Sequence, residues 1–226
     1  MYSFAQRSDT LVIDEPFYGY YLKHISKIEH PGHQEIIDSM PTAFDQVIAD
    51  VNSLGKENEI VFLKNMAHHL SLEELDRIPR CRNVLFIRDP KEIIRSFSKV
   101  IEQPTMKDIG IRIHLEMLEH LTSLKSNPLV LDALELLKDP KNTLRTLCKE
   151  LQIPFDISML SWSAQARQED GVWAKYWYKN VHMSTGFKLY EEQDFSLPPY
   201  LQDLYNEALP YYLELRKYAL NATEIR

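Results

Sequence analysis

Glycine is scarce in this sequence, with six in 226 residues. A phosphate-cradling P-loop needs Gly-x-x-x-x-Gly-Lys-Ser/Thr after a strand. The one Gly-Lys pair, Gly55-Lys56, has Asp50 where the first glycine belongs and follows a helical stretch, so it is not one. Cysteine is scarcer still. Cys81 and Cys148 are too few for a disulfide framework, and free thiols fit a reducing compartment. Apolar runs are short. Val84-Leu85-Phe86-Ile87 is typical and falls far below the ~20 residues that span a bilayer. The first nine residues, Met1-Tyr2-Ser3-Phe4-Ala5-Gln6-Arg7-Ser8-Asp9, show no cationic leader followed by an apolar stretch. Cations are in deficit: 26 Lys and Arg against 33 Asp and Glu leave a formal charge of −7. A general nucleic-acid binder needs the opposite balance. These absences point to a soluble, cytoplasmic protein with neither a membrane nor a nucleic acid as partner. Oligomeric state is not legible.

What is present is ordinary globular composition, 44% hydrophobic and 26% charged. The length fits one domain over 1–226, with an α/β core in 1–155 and an aromatic-rich, helical C-terminal segment in 156–226. Thr10-Leu11-Val12-Ile13-Asp14 reads as a strand, as do 59–64, 83–87 and 128–132. Helical periodicity fills 41–54 with Gly55 as a stop, 106–125, 142–151 and 199–220, the last with a kink expected at Pro210. Ser71 and Glu74 have capping-box spacing, and Asp89-Pro90-Lys91-Glu92 opens another helix. Apolar strands alternating with helices predict an α/β fold: a parallel sheet of about four strands flanked by helices on both faces. Ligands of such sheets sit beyond the carboxyl ends of strands. The informative positions are therefore Asp14-Glu15, Lys64 to His69, Arg88-Asp89 and Asp132.

Arg88 ends the third strand, and Ser96 lies eight residues on, two helical turns after the cap Asp89. On one helix face, a guanidinium and a hydroxyl can converge on an anion. Alternatively, Arg88 pairs with a carboxylate and Ser96 merely packs. Lys64-Asn65-Met66-Ala67-His68-His69 supplies a cation and two imidazoles, either for acid–base work or as loop residues. Asp14 and Glu15 are candidate bases or helix caps. Trp162, Trp173, Tyr176, Trp177 and Tyr178 either line a pocket or pack a core. His30-Pro31-Gly32-His33 and His114/His120 lack zinc-site spacing, so no metal is expected.

Arg-x-Pro after an apolar strand, with Ser eight residues past the Arg, resembles the 3′-phosphate-binding segment of sulfotransferases that use 3′-phosphoadenylyl sulfate (PAPS). Leu136-Leu137-Lys138-Asp139-Pro140 to Leu151, followed by Ile153-Pro154-Phe155, resembles that family's stretch after its last core strand. Residues 1–7, Ile13-Asp14-Glu15-Pro16, Lys64 to His69 and Ser184-Thr185-Gly186-Phe187 are similar to a sulfotransferase-like subfamily of bacteria and plants. The resemblance implies a P-loop NTPase-like sulfotransferase fold. It also implies sulfuryl transfer from PAPS to a hydroxyl or amine of a small-molecule acceptor, with adenosine 3′,5′-bisphosphate as product. Arg88 and Ser96 would then grip the 3′-phosphate, with Lys188 as a further contact. Lys64 would steady charge on the bridging oxygen, and His68 or His69 would be the base. The family's tighter Lys-x-His spacing is not reproduced, nor is its usual Arg-Lys-Gly near Lys188. In the family, the first strand and phosphosulfate loop precede the segment matching residues 2–7. The expectation is thus a fold lacking both and a truncated chain with little activity of its own. The alternative is a non-catalytic nucleotide-binding or interaction protein on the same core. A nucleotide kinase would need a Walker lysine and Mg²⁺ ligands, and neither is visible.

Overall fold

In chain order the elements are β1 (Thr10–Asp14), α1 (Tyr18–His24), α2 (His33–Ser39), α3 (Phe44–Glu57), β2 (Ile60–Lys64), α4 (Leu72–Asp76), β3 (Val84–Ile87) and α5 (Pro90–Phe97). There follow α6 (Met106–Ile109), α7 (Ile111–Ser123), β4 (Leu129–Asp132), α8 (Ala133–Lys138), α9 (Pro140–Leu151), α10 (Ala174–Trp177), α11 (Lys179–His182) and α12 (Pro199–Arg216). These come from a computed structural model that describes residues 1–221 apart from 28, 79, 80, 100, 102 and 192–194. The chain divides into two compact units. One holds Met1–Ile78 with Asp156–Phe187, the other Pro79–Phe155 with Lys188–Arg226. The residues after 155 are therefore shared between both units.

The α/β class is as the apolar pattern predicts, and all four strands fall where expected and pair in parallel. They pair two by two among the described residues: each unit holds one two-stranded ladder rather than a share of a single four-stranded one. In the first unit β1 runs beside β2 in the register Thr10↔Ile60 to Asp14↔Lys64. The two strands end level, which makes Asp14 and Lys64 cross-strand neighbours. Apolar clusters cover this unit. Phe17 stacks on Phe44 with Val47 beside them, and Tyr18, Tyr21, Leu22, Ile36 and Trp173 form another. Arg7 is buried and clamps its own turn: Nε and Nη2 donate to the two Asp9 carboxylate oxygens at 2.9 and 2.7 Å.

In the second unit β3 runs beside β4, from Val84↔Leu129 to Ile87↔Asp132. One larger apolar core joins Leu85, Ile87 and Val130 of the strands to Ile94 of α5, Ile111 and Leu118 of α7, and Leu201, Ala208, Tyr212 and Leu215 of α12.

Several boundaries differ from the periodic reading. α3 runs through Gly55 to Glu57, with Asn58 as its C-cap, because that glycine does not take up the positive φ of a helix stop. The expected helix over 106–125 is broken at Gly110, whose φ of +71° closes α6 and opens α7. α12 passes Pro210 without stopping and ends at Arg216. The capping box of Ser71 and Glu74 is present, and Asp89 accepts from the Lys91 N–H at 2.8 Å with Pro90 at the first helical position. Cys81 and Cys148 form no disulfide. Among the described residues no helix is long and apolar enough to cross a membrane.

Candidate functional site

The level ends of β1 and β2 put unlike charges at one spot. Lys64 closes β2, and its ammonium donates to Glu15 Oε1 and to the Tyr178 hydroxyl (2.8 Å) and lies 3.5 Å from Asp14 Oδ1. Asp14 and Glu15 are each only 5% exposed. Tyr178 donates to Asp14 at 2.9 Å, and the Gly171 N–H reaches Asp14 Oδ2 at 3.4 Å. Buried carboxylates survive only when paired in this way. Burial pushes the Glu15 carboxyl up, and Lys64 opposes it. Burial, then Glu15 and Asp14, push the Tyr178 phenol up, so that it remains a donor.

Glu15 has a backbone φ of +46°, a left-handed conformation that costs a residue with a side chain about 1–3 kcal/mol. Its N–H bonds the Lys64 carbonyl at 2.7 Å and its own carbonyl accepts from Tyr18. The chain thus turns sharply off the sheet while the carboxylate stays over it. Neither Asp14 nor Glu15 caps α1, whose N-cap is Phe17.

His68 and His69 lie on a short 3-10 turn after β2, and they separate in role. His69 is 1% exposed and stacks against both Tyr18 (5.0 Å) and Tyr21 (4.8 Å). Its Nε2 is 3.7 Å from Glu15 Oε2, and its Nδ1 has no hydrogen-bond partner. Burial, then His68, Lys64 and His30, hold it well below the usual histidine range, so the ring is neutral. His68 is partly buried and packs edge-on against Tyr21 and His69.

Beside this cluster is a pair that sequence reasoning missed. His182 ends α11, and its Nε2 lies 2.9 Å from Asp170 Oδ2. The Asp170 side chain is 4% exposed and also accepts from the Tyr2 hydroxyl (2.7 Å) and the Arg167 N–H (2.9 Å). The His182 ring stands edge-to-face on Tyr178 at 6.2 Å, and the Lys64 ammonium is 5.3 Å from the Tyr178 ring centroid. Twelve residues apart, with only two four-residue helices between them, Asp170 and His182 had no periodicity to announce them. The aromatic-rich stretch around Tyr178 was the available signal.

The remaining aromatics divide. Trp173 is buried in the apolar cluster with Tyr18 and Tyr21, and Trp177 packs at its edge. Tyr176 is largely exposed, and the Trp162 indole donates to Ser184 Oγ at 2.9 Å. Gly186 lies so close to the Leu160 carbonyl that a Cβ would meet its oxygen at 2.9 Å, which explains the glycine of the Ser184-Thr185-Gly186-Phe187 run.

Arg88, Ser96 and Lys188 belong to the second unit. Arg88 Nε donates to Glu92 Oε2 at 2.6 Å, one helical turn on, and its side chain is 45% exposed. Ser96 is exposed on α5. Lys188 is exposed and 3.9 Å from Glu191. Among the described residues no hydrogen bond or ion pair joins these three to one another. Asp132 at the end of β4 is fully buried. It caps α8 through the Leu134 N–H (2.9 Å) and accepts from Tyr212 (3.0 Å), with Arg216 Nε at 3.2 Å. No group of three or more His, Cys, Asp or Glu among the described residues is placed to hold a metal ion.

Comparison with known proteins gives this arrangement a family. Two Arabidopsis thaliana proteins, branched-chain-amino-acid aminotransferase-like proteins 1 and 2, are 36% and 35% identical over 100% and 96% of this chain. The aligned region is 40% and 38% of their own length, so the chain spans about two-fifths of these relatives. Among solved structures, the sulfotransferase domain from the curacin biosynthetic pathway aligns over 85% of this chain and 77% of its own, at 14% identity and a TM-score of 0.42. The sulfotransferase domain from the Synechococcus PCC 7002 olefin synthase aligns over 88% and 93%, at 15% identity and a TM-score of 0.38. The family described as "Sulfotransferase domain" matches residues 1–219, nearly the whole chain, and the protein belongs to it.

Proposed function

We propose that the protein transfers the sulfuryl group of PAPS to a hydroxyl or amine of a small-molecule acceptor. The observation that carries this reading is the Lys64 cluster. In a family that moves a sulfuryl group, a half-buried ammonium is fixed at the carboxyl end of a parallel strand by two buried carboxylates and a phenol. Transfer builds negative charge on the oxygen bridging sulfur and phosphate. A cation already oriented by the fold stabilises that charge without reorganising as it forms. Lys64 is the member of the cluster with solvent reach, at 26% side-chain exposure, whereas Asp14 and Glu15 are sealed behind it. The carboxylates thus hold the cation. In the donor role, Arg88 and Ser96 would grip the 3′-phosphate, a handle that stays on the product and contributes binding energy remote from the reaction.

A second reading, nucleotide binding without turnover, is favoured by one specific contact: the Arg88 guanidinium is already paired with Glu92. An entering phosphate must displace that carboxylate. Calorimetry with adenosine 3′,5′-bisphosphate on the protein and on Arg88→Ala, alongside sulfuryl transfer from PAPS to a panel of alcohols and amines, decides between them. The catalytic reading expects turnover, and a loss of at least ~30-fold in nucleotide affinity on removing Arg88, the equivalent of about 2 kcal/mol for a charge-assisted contact. Binding without transfer selects the second reading. Equal heats for both proteins remove Arg88 from the donor role.

A further inference from the structure

The cluster at Lys64 supplies a cation, but its carboxylates and His69 are out of an acceptor's reach, and the partly buried His68 packs its ring against Tyr21 and His69. Asp14, Glu15 and His69 are each 5% exposed or less, and both carboxylates are engaged with Lys64. An acceptor hydroxyl cannot hand a proton to a group it cannot touch. The neighbouring pair meets that requirement. We propose that His182, oriented by Asp170, is the general base that deprotonates the acceptor. This inference rests on the sulfotransferase reading above and names the proton acceptor of that same reaction.

The geometry is that of an oriented base. The buried Asp170 carboxylate holds the Nε2 edge of His182 at 2.9 Å, which fixes the proton on Nε2 and leaves the Nδ1 lone pair as acceptor. The His182 side chain is 23% exposed, and no hydrogen bond to Nδ1 is present among the described residues. Asp170 is itself held by the Tyr2 hydroxyl and the Arg167 N–H, so it cannot swing away. The arginine's guanidinium is engaged elsewhere, with Glu169 at 3.0 Å. Tyr178 meets both groups: its hydroxyl accepts from the Lys64 ammonium at 2.8 Å, and its ring stands edge-on to that of His182 at 6.2 Å. The step balances without a further reactant. The acceptor O–H or N–H proton passes to His182 Nδ1 as the acceptor atom bonds to sulfur. The bond from sulfur to the bridging oxygen breaks, its electron pair leaves on adenosine 3′,5′-bisphosphate, and the imidazolium returns its proton to water.

A purely structural tie between Asp170 and His182 makes different predictions, and three variants separate the two. His182→Gln keeps a side-chain donor for Asp170 but cannot accept the proton. It should lower kcat ~10²–10⁴-fold with nucleotide affinity within twofold of wild type. His182→Gly should regain turnover on addition of millimolar imidazole, a rescue that no structural tie provides. Asp170→Asn, a change at a positioning residue, should shift the His182 tautomer away from Nε2–H in ¹⁵N NMR spectra. A kcat within threefold of wild type in His182→Gln overturns the proposal. So does a folded His182→Gly protein that imidazole leaves inert, or an Nδ1–H tautomer in the wild-type protein. Wild-type protein that fails to bind adenosine 3′,5′-bisphosphate is a separate result: it overturns the donor reading and takes this inference with it.

Discussion

Two cations stand at the ends of two parallel ladders, and the fold treats them in opposite ways. Lys64 is clamped by Asp14, Glu15 and Tyr178 at a buried strand end. Arg88 sits half in solvent and, among the described residues, pairs only with Glu92, one helical turn on. The first arrangement is fixed before any ligand arrives, and its cost is carried by the fold. The second is a surface ion pair of the i,i+4 kind, worth about 0.3–0.5 kcal/mol, which a dianionic phosphate can outcompete. A group that must stabilise charge during reaction gains from rigidity. A group that must admit and release a nucleotide gains from a weak resident partner.

The comparison breaks most sharply at Lys64. Lys64→Met strands two buried carboxylates and should destabilise the protein by about 3 kcal/mol in urea unfolding at neutral pH, the low end for a severed buried pair because Lys64 keeps some exposure. The loss should shrink toward pH 5, where protonation of Glu15, whose carboxyl burial already pushes up, relieves part of the penalty. A pH-independent loss, or none, would mean that the cluster is not the electrostatic unit described here.

A second experiment tests the buried imidazoles that each unit carries. Burial lowers the His114 pKa to about 4, and its Nδ1 has no partner; His69 is likewise held well below its ordinary value. Between pH 6.5 and 4 the unfolded chain takes up a proton at position 114 that the folded chain refuses. Stability should therefore fall as pH drops through that window, by up to ~1.4 kcal/mol per unit for His114 alone, and the effect is absent above 6.5. His114→Leu should flatten the slope of unfolding free energy against pH. An unchanged slope would place the acid sensitivity elsewhere.

The smallest expected effect sharpens the contrast on the other side. Glu92→Gln should alter stability by less than about 0.5 kcal/mol and tighten adenosine 3′,5′-bisphosphate binding several-fold by freeing Arg88. Weaker binding in that variant would make the carboxylate a partner of the nucleotide rather than its competitor.

Much of the fold was written in local patterns. Strand limits followed apolar runs, and Asp89-Pro90 and Ser71/Glu74 did the capping their spacing implies. The Asp139-Pro140 pair of the family-like stretch proves to be a helix start, with Asp139 accepting from the Asn142 N–H at 3.1 Å. The site was legible only in outline. Lys64, Asp14 and Glu15 were singled out because strand ends matter in such sheets. That the three form one buried knot depends on the register of β1 with β2, which alternation does not encode. His69 gave no sign of being buried against two tyrosines that lie some fifty residues earlier in the chain. Asp170 and His182 are brought together by α10 and α11, two four-residue helices too short to leave a periodic signal. Helix errors had simpler causes: a glycine without positive φ did not stop α3, and one at positive φ divided α6 from α7.

The left-handed turn at Glu15 carries an evolutionary corollary. Glycine or asparagine would make the same turn at lower cost, so a glutamate there is a choice against robustness. Under selection for heat resistance alone, with no demand for turnover, position 15 should be among the first to surrender its carboxylate, and Lys64 should follow once it has less to hold.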